Sequence, residues 1–144
     1  MKVLDTDVCV EILRGNPRVL QWRRHTSARV VTTWITACEL EYGAAKSADP
    51  DQARSLVADL LSTLDILGLD RPAARQFGQH KAALRRAGGT LPDADLMIAA
   101  IALASGAELA TGNLQHFRRF PELPLEDWIR QPPPESADRG DAPS

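Results

Sequence analysis

Short β-branched runs alternate with segments of helical periodicity along most of the chain. This alternation is typical of a parallel β-sheet whose strands are joined by crossover helices. The apolar runs predict strands over 2–4, 29–33, 64–67 and 108–111, with an edge strand at 123–125. The periodic segments predict helices over 7–14, 17–25, 36–47, 50–63, 71–87, 93–105 and 114–120. We therefore expect an α/β fold in which helices flank a parallel sheet.

The C-terminal segment has a different composition. The last fourteen residues, from Gln131, hold four of the ten prolines and no large apolar side chain. Such a segment buries too little apolar surface to offset the entropy lost on ordering. We expect one domain over residues 1–130, followed by a disordered proline-rich tail over 131–144.

Composition excludes several classes of protein. The chain has 144 residues, enough for one ordinary domain. Its longest apolar run, over 96–104, has nine residues, whereas a helix that crosses a bilayer needs about 20. Acidic residues at positions 5, 7 and 11 would interrupt the apolar core of a secretory signal. We expect a cytoplasmic protein without a membrane segment, in which Cys9 and Cys38 are reduced core thiols.

The basic residues matter through their distribution. The formal net charge of −2 provides no global attraction for nucleic acid. All but three of the 17 basic residues are arginines, whose guanidinium binds phosphate in a bidentate manner. Arginine pairs occur at 23–24, 85–86 and 118–119. Each pair is either a solvated helix face or a local basic patch.

Most familiar catalytic motifs are missing from the sequence. It contains no glycine-rich phosphate loop and no Gly-x-Ser-x-Gly nucleophile elbow. The histidines, His25, His80 and His116, lie too far apart in sequence for a zinc motif, and we interpret each as a surface or core-edge residue. The remaining candidates are carboxylates at the ends of elements, where an open α/β sheet binds its ligands.

Asp5, Thr6 and Asp7 directly follow the first predicted strand. Either Asp5 or Thr6 can cap the helix that follows. A cap needs one such residue, whereas two carboxylates and a hydroxyl stand here side by side. This surplus of oxygen donors indicates a cation near the carboxyl end of the strand.

Glu39 has two interpretations. It can be the last member of a capping box that begins at Thr36, or it can point toward the end of the sheet as a ligand. Glu41 projects about 200° away around the helix, so only one of the two glutamates can point inward. We choose Glu39 as that acid.

Asp95 lies on the same helical stripe as Ile98 and Ala102, which should pack on the sheet. A carboxylate on that face is costly without a partner. Asp95 can alternatively be a first-turn acid that favours the helix dipole, but Asp93 already suits that role because it projects to the opposite side. We therefore select Asp95 as the third candidate ligand.

Carboxylates brought together at strand ends repel one another and raise one another's pKa values unless a cation neutralises them. Oxygen-only donor sets suit Mg²⁺ or Mn²⁺, and Mg²⁺ completes its shell with water and substrate phosphate. Such an ion activates water and offsets charge on a phosphate under attack. The predicted chemistry is therefore phosphoryl transfer.

Four segments resemble those of PIN-domain ribonucleases of the VapC type, the toxins of type II toxin–antitoxin pairs. The segments are MKVLDTDVCVEILRG, TACELEYGA, LPDADLMIAAIALASGAELATGNLQHF and LPLEDW, which together span about residues 1–129. The resemblance implies a parallel sheet of five strands, an acidic pocket that binds Mg²⁺ or Mn²⁺, and endonuclease activity on RNA. It also implies a homodimer and inhibition by a VapB-type antitoxin that occupies the pocket.

The family's functional positions can be carried onto this sequence. Its three acids fall on Asp5, Glu39 and Asp95, which would be catalytic residues and metal ligands. Its fourth polar position falls on Asn113, a further catalytic residue whose uncharged amide favours one metal ion over two. Asp7 falls on a supporting position, and Thr111 would orient water or metal from the fourth strand.

Two alternative functions are weighed against this one. Phosphatases of the haloacid dehalogenase type also begin with Asp-x-Asp after a first strand, but they need a later lysine, and none of Lys2, Lys46 and Lys81 follows a strand. The other alternative is a weakly active or inactive PIN-fold partner of an antitoxin, with a pocket made degenerate by Asn113.

Overall fold

The computed structural model describes residues 1–135. Its strands are β1 (Lys2–Leu4), β2 (Val30–Thr33), β3 (Asp65–Leu67), β4 (Glu108–Thr111) and β5 (Leu125–Asp127). Its helices are α1 (Thr6–Leu13), α2 (Pro17–His25), α3 (Trp34–Ala45), α4 (Pro50–Ser62), α5 (Arg71–Arg86), α6 (Asp93–Ala104) and α7 (Leu114–Phe117). The strands form one parallel sheet in the order β3-β2-β1-β4-β5. The α/β fold and its parallel five-stranded sheet are thus confirmed.

The central strand β1 separates two hydrophobic clusters. Val3 and Leu4 are successive residues of β1, and both are fully buried. They belong to different clusters because successive side chains of a strand point to opposite faces. Leu4 packs with residues of α1, α2 and α4, whereas Val3 packs with residues of α6 and α7. Burying a side chain of this size contributes about 1.5–3 kcal/mol. The two cores fix β1 in the middle of the sheet, so its carboxyl end lies between the carboxyl ends of β2 and β4.

Helix α3 begins two residues earlier than predicted. Thr33, in extended backbone conformation at the end of β2, is the N-cap, and its Oγ1 accepts a hydrogen bond from the Thr36 N–H at 3.1 Å. The capping-box interpretation of Thr36 and Glu39 is therefore wrong, as is the predicted helix start at residue 36. Glu39 lies beyond the first turn, and its carboxylate is free of any capping role.

Other boundaries differ from the prediction in smaller ways. Helix α7 ends at Phe117, three residues before the predicted end, and Asn113 makes no side-chain capping bond. The edge strand β5 lies two residues later than predicted, because β4 pairs with Leu125–Asp127 while Leu123 is buried in the core. Cys9 is a buried free thiol, but Cys38 is exposed, so the prediction of a core thiol is wrong for Cys38.

The segment after β5 lies against α2. The Trp128 ring stacks on Trp22 with centroids 5.5 Å apart, and the Trp22 Nε1–H donates to the carbonyl of Gln131 at 2.7 Å. Residues 136–144 of the predicted tail lie outside the described residues, and the tail stays a prediction. Among residues 1–135, no helix has the length and apolar character needed to span a membrane.

Candidate active site

Asp5 follows the central strand and caps the first helix. Its Oδ1 accepts the N–H of Thr6 at 2.8 Å, and its Oδ2 accepts the hydroxyl of Thr111 at 2.8 Å. These contacts assign the cap to Asp5 and leave the Thr6 side chain for another role. Because Thr111 ends the neighbouring strand β4, the hydrogen bond joins the carboxyl ends of two adjacent strands. Only 5% of Asp5 is exposed to solvent.

Burial governs the protonation of this carboxylate. It raises the pKa of Asp5 from an ordinary value of 3.8 to about 7, and the negative charges of Asp7 and Asp95 add to the effect. The hydrogen bonds from Thr111 and Thr6 act in the opposite direction. Asp95, although distant in sequence, lies close enough to Asp5 for its negative charge to raise the pKa of Asp5.

Asp7 is held from the end of β4. Its Oδ2 accepts the N–H of Gly112 at 2.9 Å, while its Oδ1 is buried and receives no hydrogen bond from the described residues. Burial raises the pKa of Asp7, and the Gly112 hydrogen bond opposes that rise. A Cβ at position 112 would lie 2.6 Å from Ile129 Cδ1 and 3.0 Å from Asp7 Oδ2. Glycine is therefore required for the backbone to approach Asp7 this closely.

Glu39 is linked to the carboxyl end of β1 by a hydrogen bond with Thr6. The Thr6 hydroxyl donates to Glu39 Oε1 at 2.7 Å and lies 3.0 Å from the Thr36 hydroxyl. Thr6 thus touches Asp5 through its backbone and Glu39 through its side chain. This bridge brings the acid of α3 to the carboxyl end of β1, and Glu39 itself is exposed to solvent.

Asp95 sits in the first turn of α6 and is paired with a histidine. Its Oδ2 lies 2.8 Å from His116 Nδ1, and the same ring nitrogen lies 2.8 Å from Asn113 Nδ2. A single ring nitrogen either donates to Asp95 or accepts from the Asn113 amide, so the histidine tautomer decides between the two contacts. The buried Ile98 and Ala102 follow Asp95 on its stripe, as the periodicity predicted.

The site carries excess negative charge. Asp5, Asp7, Glu39 and Asp95 surround the ends of β1 and β4, and within residues 1–135 no lysine or arginine forms an ion pair with any of them. Oxygen donors with uncompensated charge suit a hard divalent cation, and the buried, unpartnered Asp7 Oδ1 fits the same need. However, no three acidic, histidine or cysteine side chains of the described range form a ready-made metal cluster. Thr6 bonds Oε1 of Glu39, so Oε2 is the oxygen left for an ion.

His116 and Gly112 are the site residues that the sequence analysis missed. His116 was interpreted as a surface or core-edge residue, yet it contacts both Asp95 and Asn113. The one signal for it is the spacing of three residues between Asn113 and His116, which places them on one side of a helical turn. No sequence signal marks the tertiary contact from Thr6 to Glu39.

Comparison with known proteins identifies the family of this chain. The family described as PIN domain matches residues 2–123. The tRNA(fMet)-specific endonuclease VapC of Salmonella typhimurium is 35% identical over 127 residues, which cover 88% of this chain and 96% of that protein. Ribonuclease VapC2 of Haemophilus influenzae is 33% identical, with coverage of 88% and 97%. In the crystal structure of DNA-bound VapBC from Salmonella typhimurium, the similar chain is 34% identical, with a TM-score of 0.83 and coverage of 88% and 97%. The chain therefore belongs to the PIN-domain family, and within it to the VapC ribonucleases.

Proposed function

We propose that this ribonuclease is a metal-dependent endonuclease and that it acts as the toxin of a type II toxin–antitoxin pair. Asp5, Glu39 and Asp95 would hold Mg²⁺ or Mn²⁺, with Asn113 completing the catalytic group. The observation that carries the proposal is the group of carboxylates at the ends of β1 and β4, whose charge no lysine or arginine of residues 1–135 neutralises by an ion pair. Such a group is costly unless a cation is present.

Each ligand would be oriented by neighbours already in contact with it. A divalent ion bound there supplies an activated water and offsets the charge that develops on the attacked phosphate. The hydroxyl of Thr111 and the N–H of Thr6 hold both oxygens of Asp5. His116 holds Asp95 at the edge of the site, as partners of ligating carboxylates commonly do. These contacts limit the motion of the acids, so less entropy is lost when a substrate phosphate binds.

A VapB-type antitoxin and a second copy of the chain are the proposed protein partners. VapBC and FitAB complexes are among the similar solved structures, including VapBC2 of Rickettsia felis bound to a promoter DNA fragment. Large apolar side chains are exposed on helix α3, namely Trp34 and Tyr42. Two exposed aromatic side chains on one helix are typical of protein interfaces. Size-exclusion chromatography, with and without the antitoxin, tests both partners: a monomer that ignores the antitoxin would contradict this part of the proposal.

The activity is tested on total RNA and on initiator tRNA, which is chosen because one relative is named a tRNA(fMet)-specific endonuclease. Purified chain free of antitoxin is incubated with Mg²⁺, Mn²⁺ or EDTA, and the new RNA ends are mapped. We expect discrete cleavage that needs the metal and is lost in Asp5→Asn, Glu39→Gln and Asp95→Asn.

Two matched variants control for folding and net charge. Asp93→Asn changes an acid of the same helical turn as Asp95, but its carboxylate is exposed and bonds Lys81 Nζ at 3.0 Å. Glu41→Gln changes the exposed glutamate two residues from Glu39. Both controls should keep full activity. Cleavage in EDTA, or full activity of Asp95→Asn, would overturn the proposed mechanism, and antitoxin binding without any turnover would favour an inactive PIN-fold partner.

A further inference from the structure

A cavity of about 430 Å³ lies beside the acidic cleft, on the other side of the backbone that follows β4. Its lining includes Gly112, Asn113, Arg118, Asp127 and Arg130. The volume falls in the range of pockets that bind small ligands, about 300–1,000 Å³. Its charge differs from that of the cleft, because two arginines face one buried aspartate.

A hydrogen-bonded turn positions Arg130 at this cavity. Asp127 Oδ1 accepts the N–H groups of Ile129 at 3.0 Å and of Arg130 at 2.9 Å, so the carboxylate that ends β5 shapes the backbone carrying the arginine. The Arg130 Nη1 donates to the carbonyl of Gly112 and lies 3.9 Å from Asp127 Oδ2. The Arg130 side chain is still 66% exposed. It is therefore oriented at one nitrogen while the rest of its fork of donors faces solvent.

Gly112 and Asn113 connect the cavity to the acidic cleft. The N–H of Gly112 bonds Asp7, whereas its carbonyl accepts from Arg130. The Asn113 side chain lines the cavity and also contacts His116, the partner of Asp95. A single residue, Gly112, thus separates the Arg130 guanidinium from the Asp7 carboxylate, which places the cavity next to the acidic cleft.

The second arginine, Arg118, is exposed at the C-terminal end of α7. Arg118 belongs to one of the arginine pairs found in the sequence. Its neighbour Arg119 makes a different contact, because the Arg119 Nη1 donates to the carbonyl of Thr90 at 2.8 Å. Arg118 and Arg130 together leave the cavity with one net positive charge against Asp127. Guanidinium groups in this setting bind phosphate oxygens well.

We propose that this cavity is a phosphate subsite, in which Arg118 and Arg130 bind the backbone phosphate of single-stranded RNA next to the phosphate in the acidic cleft. The inference rests on the proposed nuclease function, since it identifies how the negatively charged site retains a polyanion. The subsite contributes binding without base recognition. It therefore lowers KM for every RNA sequence and leaves the chemical step unchanged.

The test measures RNA binding separately from RNA cleavage. Binding of a fluorescent 12-nucleotide RNA is followed by anisotropy in EDTA at several salt concentrations, for the parent chain, Arg118→Gln, R118Q/R130Q and the control Arg86→Gln. Arg86 is the exposed last residue of α5 and is not part of the cavity lining. Each lost phosphate contact should reduce the slope of log K against log salt by about 0.7 for a single strand. Since both arginines bind the same phosphate, we expect a reduction of about 0.7 for R118Q/R130Q, a smaller reduction for Arg118→Gln and none for Arg86→Gln.

Cleavage of the same RNA in Mg²⁺ completes the test. KM should rise about tenfold in R118Q/R130Q while kcat changes by less than about twofold. Arg118→Gln and Arg130→Lys keep the test valid if the double variant fails to fold, since Arg130→Lys retains the charge and should raise KM only part of the way.

The outcomes separate the two proposals. A parent chain that binds RNA without cutting it defeats the nuclease proposal, while the salt slopes still decide the subsite. Slopes equal to that of Arg86→Gln, or a loss of kcat at constant KM, overturn the subsite alone. A parent chain that binds no RNA at any salt concentration overturns both.

Discussion

Replacing Asp5 by asparagine should stabilise the metal-free protein at neutral and alkaline pH. Burial and the charge of Asp7 raise the pKa of Asp5 to about 7, against 3.8 for an exposed aspartate. Between these two pH values the folded protein keeps a proton that the unfolded chain has lost, so the free energy of unfolding falls as the pH rises. A difference of about three in pKa corresponds to about 4 kcal/mol. That energy is the cost of holding the Asp5 charge in the cleft without a metal ion.

The asparagine variant keeps the local hydrogen bonds. Its Oδ1 can accept the N–H of Thr6, and its Nδ2 can donate to Thr111 Oγ1, which already accepts the N–H of Asn113 at 2.9 Å. The parent and the variant should therefore be similar in stability near pH 4, where Asp5 is neutral. At pH 8 the variant should be more stable by up to about 4 kcal/mol, with most of the difference developing between pH 4 and 7.

Urea unfolding in EDTA at pH 4, 6, 7 and 8 measures this difference directly. The exposed Asp59→Asn on α4 is the matched control. Adding Mn²⁺ at pH 8 should stabilise the parent, because a ligand that binds only the folded state raises its stability. It should not stabilise Asp5→Asn, because that variant lacks one of the proposed metal ligands. A stability difference that stays constant across pH, or a parent that gains on the variant as pH rises, would refute the reasoning.

Three further predictions concern neighbouring residues. Gly112→Ala should lower the unfolding free energy by about 1–3 kcal/mol, because the new Cβ would lie 2.6 Å from Ile129 Cδ1. Urea unfolding of Gly112→Ala in the parent and in an Ile129→Ala background measures how much of this loss the clash with Ile129 causes. Glu39→Gln should weaken Mn²⁺ binding at least tenfold in calorimetry, whereas Glu41→Gln should leave it unchanged; equal affinities would remove Glu39 from the site. Thr33→Ala should cost about 1 kcal/mol in thermal or urea unfolding through loss of the α3 cap, and an unchanged stability would show that the cap contributes nothing.

The order of elements and the position of the acids could be predicted from local patterns. The strand that ends at Leu4 and the stripe of Asp95 with Ile98 depend on residues near one another in sequence, and both are present. The start of α3 was mispredicted because Thr33 and Thr36 are both acceptable caps. Only the geometry at the end of β2 decides between them.

The contacts that assemble the site depend on the packing of distant elements. Thr6 reaches Glu39 across 33 residues, Thr111 reaches Asp5 across 106, and His116 reaches Asp95 across 21. None has a local periodicity, because each is created when parallel strands bring their carboxyl ends to one edge of the sheet. The amino-acid sequence by itself therefore determined the fold class and identified the three acids as candidates. The tertiary structure alone decided which hydroxyl, imidazole and backbone groups hold those acids, since their positions result from the pairing of β1 with β4 and the packing of α3 and α6.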